Sequence, residues 1–511
     1  MDGNLTNPII WADVPDPDII RVGDTYYMVS TTMYFSPGCP VMKSKDLVNW
    51  KIVSYVYDVL DNSESFTLQN GKHAYGQGSW AGCLRYHNGI YYVLFAANNT
   101  DKTYIFQTRS IEKGPWKKYI FEGIYHDASL LFDEDGRVYM IYGASSIKII
   151  ELTADAKAIK PGGLDKVIIE DADISGTKSI AEGSHIYKIF GMYYIFIIGW
   201  PRTGSGKRIQ LCYRSDKIDG LYEGRIVLDD SMGFHNAGVA QGGIVCTPDG
   251  NFYGLLFQDR EAVGRVPVLV TVKWKDGWPI FAFDGAAPGY INASEKHGGI
   301  SNIVRADEFD GTCLGLQWQW NHNPDNDYWS LIKRPGWLRL ENGSIARSLT
   351  DARNTLTQRS FGPRCSGFAL LDVSNMQNGD FAGLAALQDY YGFVGVKMAE
   401  DKKYVVMRAA PQTKASAREQ HKYKTGIPEE EIMSVPLEQD FVYLKIDFNF
   451  ENAIDEAEFY YALQEGEWIK IGDILKMSYR LSHFTGYRFA LFNFATLNTG
   501  GYADFDFLRI R

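Results

Sequence analysis

The sequence has few of the features that mark specialised classes, and each shortage excludes something. Six cysteines in 511 residues, Cys39, Cys83, Cys212, Cys246, Cys313 and Cys365, are scattered without a CxxC pair or a close Cys/His grouping. Neither a structural zinc site nor a disulfide framework is indicated, and buried free thiols are expected. No run of about 18 apolar residues occurs, so no membrane-crossing helix is expected. The opening MDGNLTNPII lacks the basic and apolar regions of a secretion signal. The chain therefore reads as soluble, with the compartment open: cytoplasmic, or periplasmic or secreted if a leader has been removed. Basic residues are also in short supply, 52 Lys and Arg against 62 Asp and Glu, and the net charge of −10 with no basic cluster disfavours nucleic acid. A neutral ligand fits better.

Aromatic residues and glycine, by contrast, are abundant. The aromatic share of 14% and the 50 glycines suit many short strands joined by tight turns. Five segments repeat one pattern, a glycine turn followed by an aromatic strand: VGDTYYMVSTT, HNGIYYVLFAA, EDGRVYMIYGA, IFGMYYIFIIG and PDGNFYGLLFQ. Their glycines, Gly23, Gly89, Gly136, Gly191 and Gly250, lie 66, 47, 55 and 59 residues apart. That uneven period fits a five-bladed propeller of about four strands per blade with loops of different length. Echoes in SKDLVNW, SIEKGPW and SDKIDGLY fall further along the units, and the alternative is a sandwich with chance Gly-aromatic hairpins.

After KWKDGWPIFAFDG the repeat stops, and a loop containing EKHGGI follows. From about residue 305 the alternation of apolar and polar side chains in LGLQWQW, YVVMRAA, FVYLKIDFNF and ADFDFLRI predicts an antiparallel β-sandwich. The expected organisation is an all-β chain, with a propeller over 1–300 and a lectin-like sandwich over 301–511. The polar stretch 411–431 is expected to be a long surface hairpin loop.

Counting back from the repeated glycines gives the candidate site. Trp80, Asp127, Glu182 and Gln241 each lie nine residues before their glycine, and Asp16 lies seven before Gly23. Equivalent positions at the start of innermost strands converge at the mouth of a propeller's channel. Each residue taken singly has an ordinary reading too, as a turn cap, an ion-pair partner or, for Trp80, a core side chain. Asp16 is held between Pro15 and Pro17 in VPDPDII, which restricts its backbone. Three carboxylates beside an aromatic wall suit glycoside hydrolysis: one protonated toward the leaving oxygen, one activating water, the third raising the acid's pKa by its charge.

The motifs VPDPDII, SKDLVNW, SWAGCLRYHNGIYYVLF, HDASLLFDEDG, IAEGSHIYKIF and VGRVPVLVTVKWKDGWP, in this order, resemble glycoside hydrolase family 43. The C-terminal third, with FDGTCLGLQWQWNHNPDNDYWSLIKRPGWLRL, resembles the sandwich appended to its β-xylosidase and α-L-arabinofuranosidase branch. The resemblance implies an inverting mechanism with Asp16 as general base, Asp127 as the pKa-modulating and orienting acid, and Glu182 as general acid. It also implies that Arg265 of GRVP binds sugar hydroxyls. Asp18 is given no catalytic role. Met33, Tyr34 and Phe35 of TTMYFSPG are expected to shape the sugar pocket with Trp80, and LFNFATLNTGGY (491–502) to reach over its mouth from the second domain, giving exo action. Ala128 replaces a proline common in HDAS-type motifs. Ala240 and Gln241 stand where relatives often place a channel histidine associated with calcium, so no cofactor is expected and that ion is doubtful. The expected substrates are arabinoxylan, xylo-oligosaccharides or arabinan, with a lean toward α-L-arabinofuranosidase with β-xylosidase side activity. A homo-oligomer is left open, and no nucleic acid or membrane partner is expected. The alternatives are a noncatalytic carbohydrate-binding protein, an endo-arabinanase or a sucrose-type fructosidase.

Overall fold

The structure is a computed structural model that describes residues 7–174, 180–200, 207–281, 300–411 and 425–511. Five four-stranded antiparallel sheets follow one another along the first part of the chain, each paired in sequence order from an inner to an outer strand. The innermost strands are Asp18–Val22, Cys83–His87, Ser129–Phe132, Ile180–Ile189 and Ala240–Cys246. The five repeated glycines occupy the hairpins between first and second strands, all in the left-handed region at φ 64–84°, a conformation glycine adopts without steric penalty. The second strands, among them Thr25–Val29 and Met192–Trp200, are buried along nearly their whole length. That is why they read as continuous apolar runs rather than as an alternation: both faces are covered by neighbouring blades.

Two devices close the ring. The inner strand of the fifth blade packs on that of the first, with Gly243 N–H donating to Pro17 O at 3.3 Å. The N-terminal segment also runs along the fifth blade: Ile9 and Val14 N–H donate to Pro267 and Arg265 carbonyls, and the Asn7 amide exchanges hydrogen bonds with the Leu269 backbone.

On the axis, Arg85 of the second blade is a hub. Its guanidinium donates to Asp18 Oδ2 at 2.7 Å, to Leu130 O at 2.9 Å and to Ile186 O at 3.3 Å, and lies 4.9 Å from the Tyr187 ring centre. The first four blades are thus joined through one side chain. Asp18, fully buried, also accepts from Leu84 N–H and pairs with His185 Nδ1 at 3.2 Å. Gly243 brings in the fifth blade, approaching so closely that a Cβ there would lie 2.5 Å from Asp18 Oδ1.

The C-terminal part forms two packed sheets of eight strands, with Leu384, Val394, Leu444 and Phe489 among the residues buried between them. The boundary expected at 300/301 adjoins residues 282–299, outside the described residues, as do most of the EKHGGI loop and residues 412–424 of the expected hairpin. One propeller segment crosses between the domains: Phe35–Ser36 pairs with Gln319–Asn321 and forms the edge of a sandwich sheet.

Candidate active site

The starts of the inner strands turn side chains into the channel mouth by an unusual backbone. Asp16, Asp127 and Gln241 have φ of 50°, 46° and 58°, and Gly183, next to Glu182, has 72°. A non-glycine residue in this region costs on the order of 1–3 kcal/mol and persists where its surroundings fix it. Around Asp16 they do. Ser30 Oγ and Thr31 N–H both donate to Pro15 O, while Asp16 Oδ2 accepts from Thr31 Oγ1 and Oδ1 from Arg265 Nη1, both at 2.8 Å.

Glu182 Oε2 lies 2.9 Å from His126 Nε2, and Asp127 Oδ2 lies 3.6 Å from the same nitrogen. The polar atoms of these three residues all fall within 4.8 Å of one another. Burial acts to lower the His126 pKa, but the hydrogen bond to Glu182 and the two negative charges outweigh it and push the imidazole up to about 9. Burial also raises Asp127, His126 opposes the rise, and the charges of Glu182 and Asp16 add to it, for a value of about 6. The repulsion expected between Asp127 and Glu182 is therefore present, and the carboxyl it pushes up is Asp127. Such a cluster releases its protons as a unit.

Arg265 is buried, with Nε 3.4 Å from Asp259 Oδ1. Burial works against its charge, yet Asp16 and the surrounding acids raise its pKa further. Its guanidinium is occupied by Asp16 and capped by the Phe484 ring at 4.4 Å, so this geometry makes it a clamp on Asp16. Asp259 also pairs with Arg208 Nη1 at 2.8 Å.

The wall above these groups comes from the sandwich, by a different segment from the one expected. Phe484 stacks on Trp80 with centroids 5.2 Å apart and planes 19° apart, and Tyr479 meets Phe484 edge-on. The expected segment 491–502 is instead split between the buried core strand Arg488–Ala495 and a turn pinned to Asn342, Gly379 and Asn375. Burial of its aromatics in the sandwich interior keeps it from the mouth. Asp13 ties the actual loop down. Its carboxylate accepts from Arg265 N–H and Gly486 N–H at 2.9 Å each, linking Arg265 and the loop through one buried group.

Tyr34 and Phe35 also need correction as pocket residues. Tyr34 is 2% exposed and enclosed by Phe35, Tyr75, His322 and His483. Phe35 lies under the Arg488 guanidinium at 3.6 Å. Met33 is equally buried, its backbone bridged to Ser79. All three are spent on the domain interface and core, and the loop reaches the site through Thr31. Trp80, His126 and Glu182 remain partly exposed at the mouth. Gln241 is buried against Gly183, where a Cβ would meet its amide at 2.8 Å. This donor set does not suit the calcium ion considered for the channel: Gln241 is packed away, and the axis carries the positive Arg85.

The sequence reasoning missed His126, Thr31, Tyr479, Phe484, Arg208 and Asp259. Only His126 had a usable signal, its place directly before Asp127.

The family model described as "Glycosyl hydrolases family 43" matches residues 5–279, and "Beta xylosidase C-terminal Concanavalin A-like domain" matches 306–511. A solved bifunctional GH43-CE protein of Bacteroides eggerthii superposes with TM-score 0.92 and 49% identity over 99% of this chain. This chain spans only 63% of that one. A beta-xylosidase of Formosa agariphila is 28% identical, covering 99% of this chain and 90% of the relative. A non-reducing end alpha-L-arabinofuranosidase of Bacteroides ovatus is 30% identical, covering 75% and 73%. By its tandem domain matches and by its relatives, this chain belongs to glycosyl hydrolases family 43.

Proposed function

We propose that the chain is an exo-acting, inverting pentosidase that removes terminal α-L-arabinofuranose or β-D-xylopyranose from arabinoxylan, xylo-oligosaccharides or arabinan. The observation that carries this reading is the meeting of Asp16, Asp127 and Glu182, from three blades, beneath one aromatic lid. Glu182 donates a proton to the glycosidic oxygen as the bond to the anomeric carbon breaks. Asp16 takes a proton from the water that attacks the opposite face. Inverting enzymes hold two such carboxyl groups about 6.5–9.5 Å apart to admit that water. Arg265 and Thr31 aim the base, and Asp127 keeps negative charge beside the acid. The Trp80–Phe484 stack closes one side of the mouth, which supports release of single terminal sugars.

The test is turnover of 4-nitrophenyl α-L-arabinofuranoside and β-D-xylopyranoside. Asp16→Asn and Glu182→Gln should each fold and lose about 10²- to 10⁴-fold in kcat/KM, the range for one acid or base. NMR of the fresh product should show the inverted anomer. A normal rate in either variant would sink the assignment. Binding of xylo-oligosaccharides without turnover would favour a noncatalytic carbohydrate-binding protein.

A further inference from the structure

His126 has no role in the reaction just described, yet it touches two of its three carboxyl groups. The imidazole is 2.9 Å from Glu182 Oε2 and 3.6 Å from Asp127 Oδ2, with its side chain 30% exposed toward the mouth. The Trp80 ring, 6.4 Å away and tilted by 55°, bounds it on the lid side. The charged groups that face it are Glu182 from the fourth blade and its chain neighbour Asp127, with Asp16 acting on it through Asp127. No cation other than His126 is placed against Glu182 among the described residues.

We propose that His126 is a positioning residue for the general acid: its Nε2–H holds Glu182 by Oε2, so that Oε1 carries the proton toward the leaving oxygen. The inference rests on Glu182 being the acid. A carboxyl hydrogen-bonded through one oxygen has one orientation, and its free oxygen can stay aligned with the departing group.

The charge of His126 has a second consequence. The imidazole holds its proton to about pH 9, whereas Asp127, raised by burial and by the charges of Glu182 and Asp16, loses its own near pH 6. Across the interval the cluster keeps one fixed positive charge beside the two carboxyl groups. A nearby cation favours the ionised carboxylates. Removing it must make the pair hold its proton to higher pH.

Aryl pentosides with leaving groups of graded basicity separate this role from a merely structural one, because a poor leaving group depends on the acid and 2,4-dinitrophenolate hardly does. His126→Ala should lower kcat/KM about 100-fold on the phenyl pentoside, within the range of general acid catalysis, and only a few-fold on the 2,4-dinitrophenyl pentoside. His126→Gln, which keeps a donor without the charge, should recover much of the phenyl rate and move the alkaline limb of the pH–kcat/KM profile upward. Equal losses on both substrates, or an alkaline limb that stays in place in His126→Gln, would overturn the inference. Glu182→Gln, measured in parallel, tells the two failures apart: an intact phenyl rate there rejects Glu182 as the acid, whatever His126 does.

Discussion

Replacing Arg85 with methionine removes the hub of the propeller while keeping most of its volume. Asp18 stays fully buried, and burial alone would raise its pKa. In the native protein Arg85 and His185 outweigh that burial and hold the carboxyl well below the usual carboxylate range. Breaking a buried pair from one side costs about 3–5 kcal/mol because the other charge is stranded. The Leu130 and Ile186 carbonyls also lose their donor, at about 1 kcal/mol each. A loss of about 5–7 kcal/mol follows, or roughly 10–25 °C in apparent Tm for a domain of this size. The pH dependence has a definite sign. A depressed folded pKa stabilises above the unfolded value of about 3.9 and ceases to as pH falls through the folded value. In Arg85→Met the stranded carboxylate opposes folding instead, so the deficit is largest near neutrality and shrinks toward about pH 4. Adding Asp18→Asn removes the stranded charge and should restore a large part of the loss. Scanning calorimetry of the wild type, both single variants and the double, at pH 7 and pH 4.5, decides the matter. A deficit below about 1 kcal/mol, or a double variant no better than Arg85→Met, refutes the hub.

Two further outcomes follow from the lid and the interface beneath it. Phe484→Ala should lower kcat/KM up to about 10-fold, since an aromatic pair contributes about 0.5–1.5 kcal/mol, with little change in Tm; an unchanged kcat/KM would remove Phe484 from the site. His322 accepts a hydrogen bond from Ala74 N–H at Nε2. Burial, aided by His73 and Arg353, holds its pKa well below 6.5, and the Tyr34 and Tyr75 rings pack on it. The unfolded chain then binds a proton that the fold refuses, so stability falls as pH drops below about 6.5. His322→Gln, whose amide oxygen can still accept, should flatten the fall in Tm between pH 7 and pH 5. Buried His483 contributes in the same direction, so part of the slope survives; an undiminished slope argues against His322.

The fold was largely legible because the repeat is local. A glycine at positive φ followed by a doubly buried strand leaves the same mark five times, and counting back from it located Asp16, Asp127, Glu182 and Trp80. What could not be read was anything set by contact between distant segments. Tyr34 and Phe35 look like pocket aromatics because they follow the Asp16 strand, yet a loop nearly 450 residues away, with His483 against Tyr34 at 3.4 Å, consumes them. Phe484 lies in SHFTGY, which has no alternation and no repeat. Arg265 was visible as a residue, but its hold on Asp16 depends on Asp13 fixing its backbone from the far end of the chain.

The Phe35–Ser36 pairing makes the two halves of this chain poor candidates for separate lives. Cut away from the propeller, the sandwich would present the unpaired strand Gln319–Asn321 at a bare border, the kind of rim on which foreign strands assemble. The propeller, freed in turn, would expose the rings of Tyr34, Phe35 and Tyr75 to water. A graft of the catalytic half onto another carrier must therefore bring a substitute for that missing neighbour.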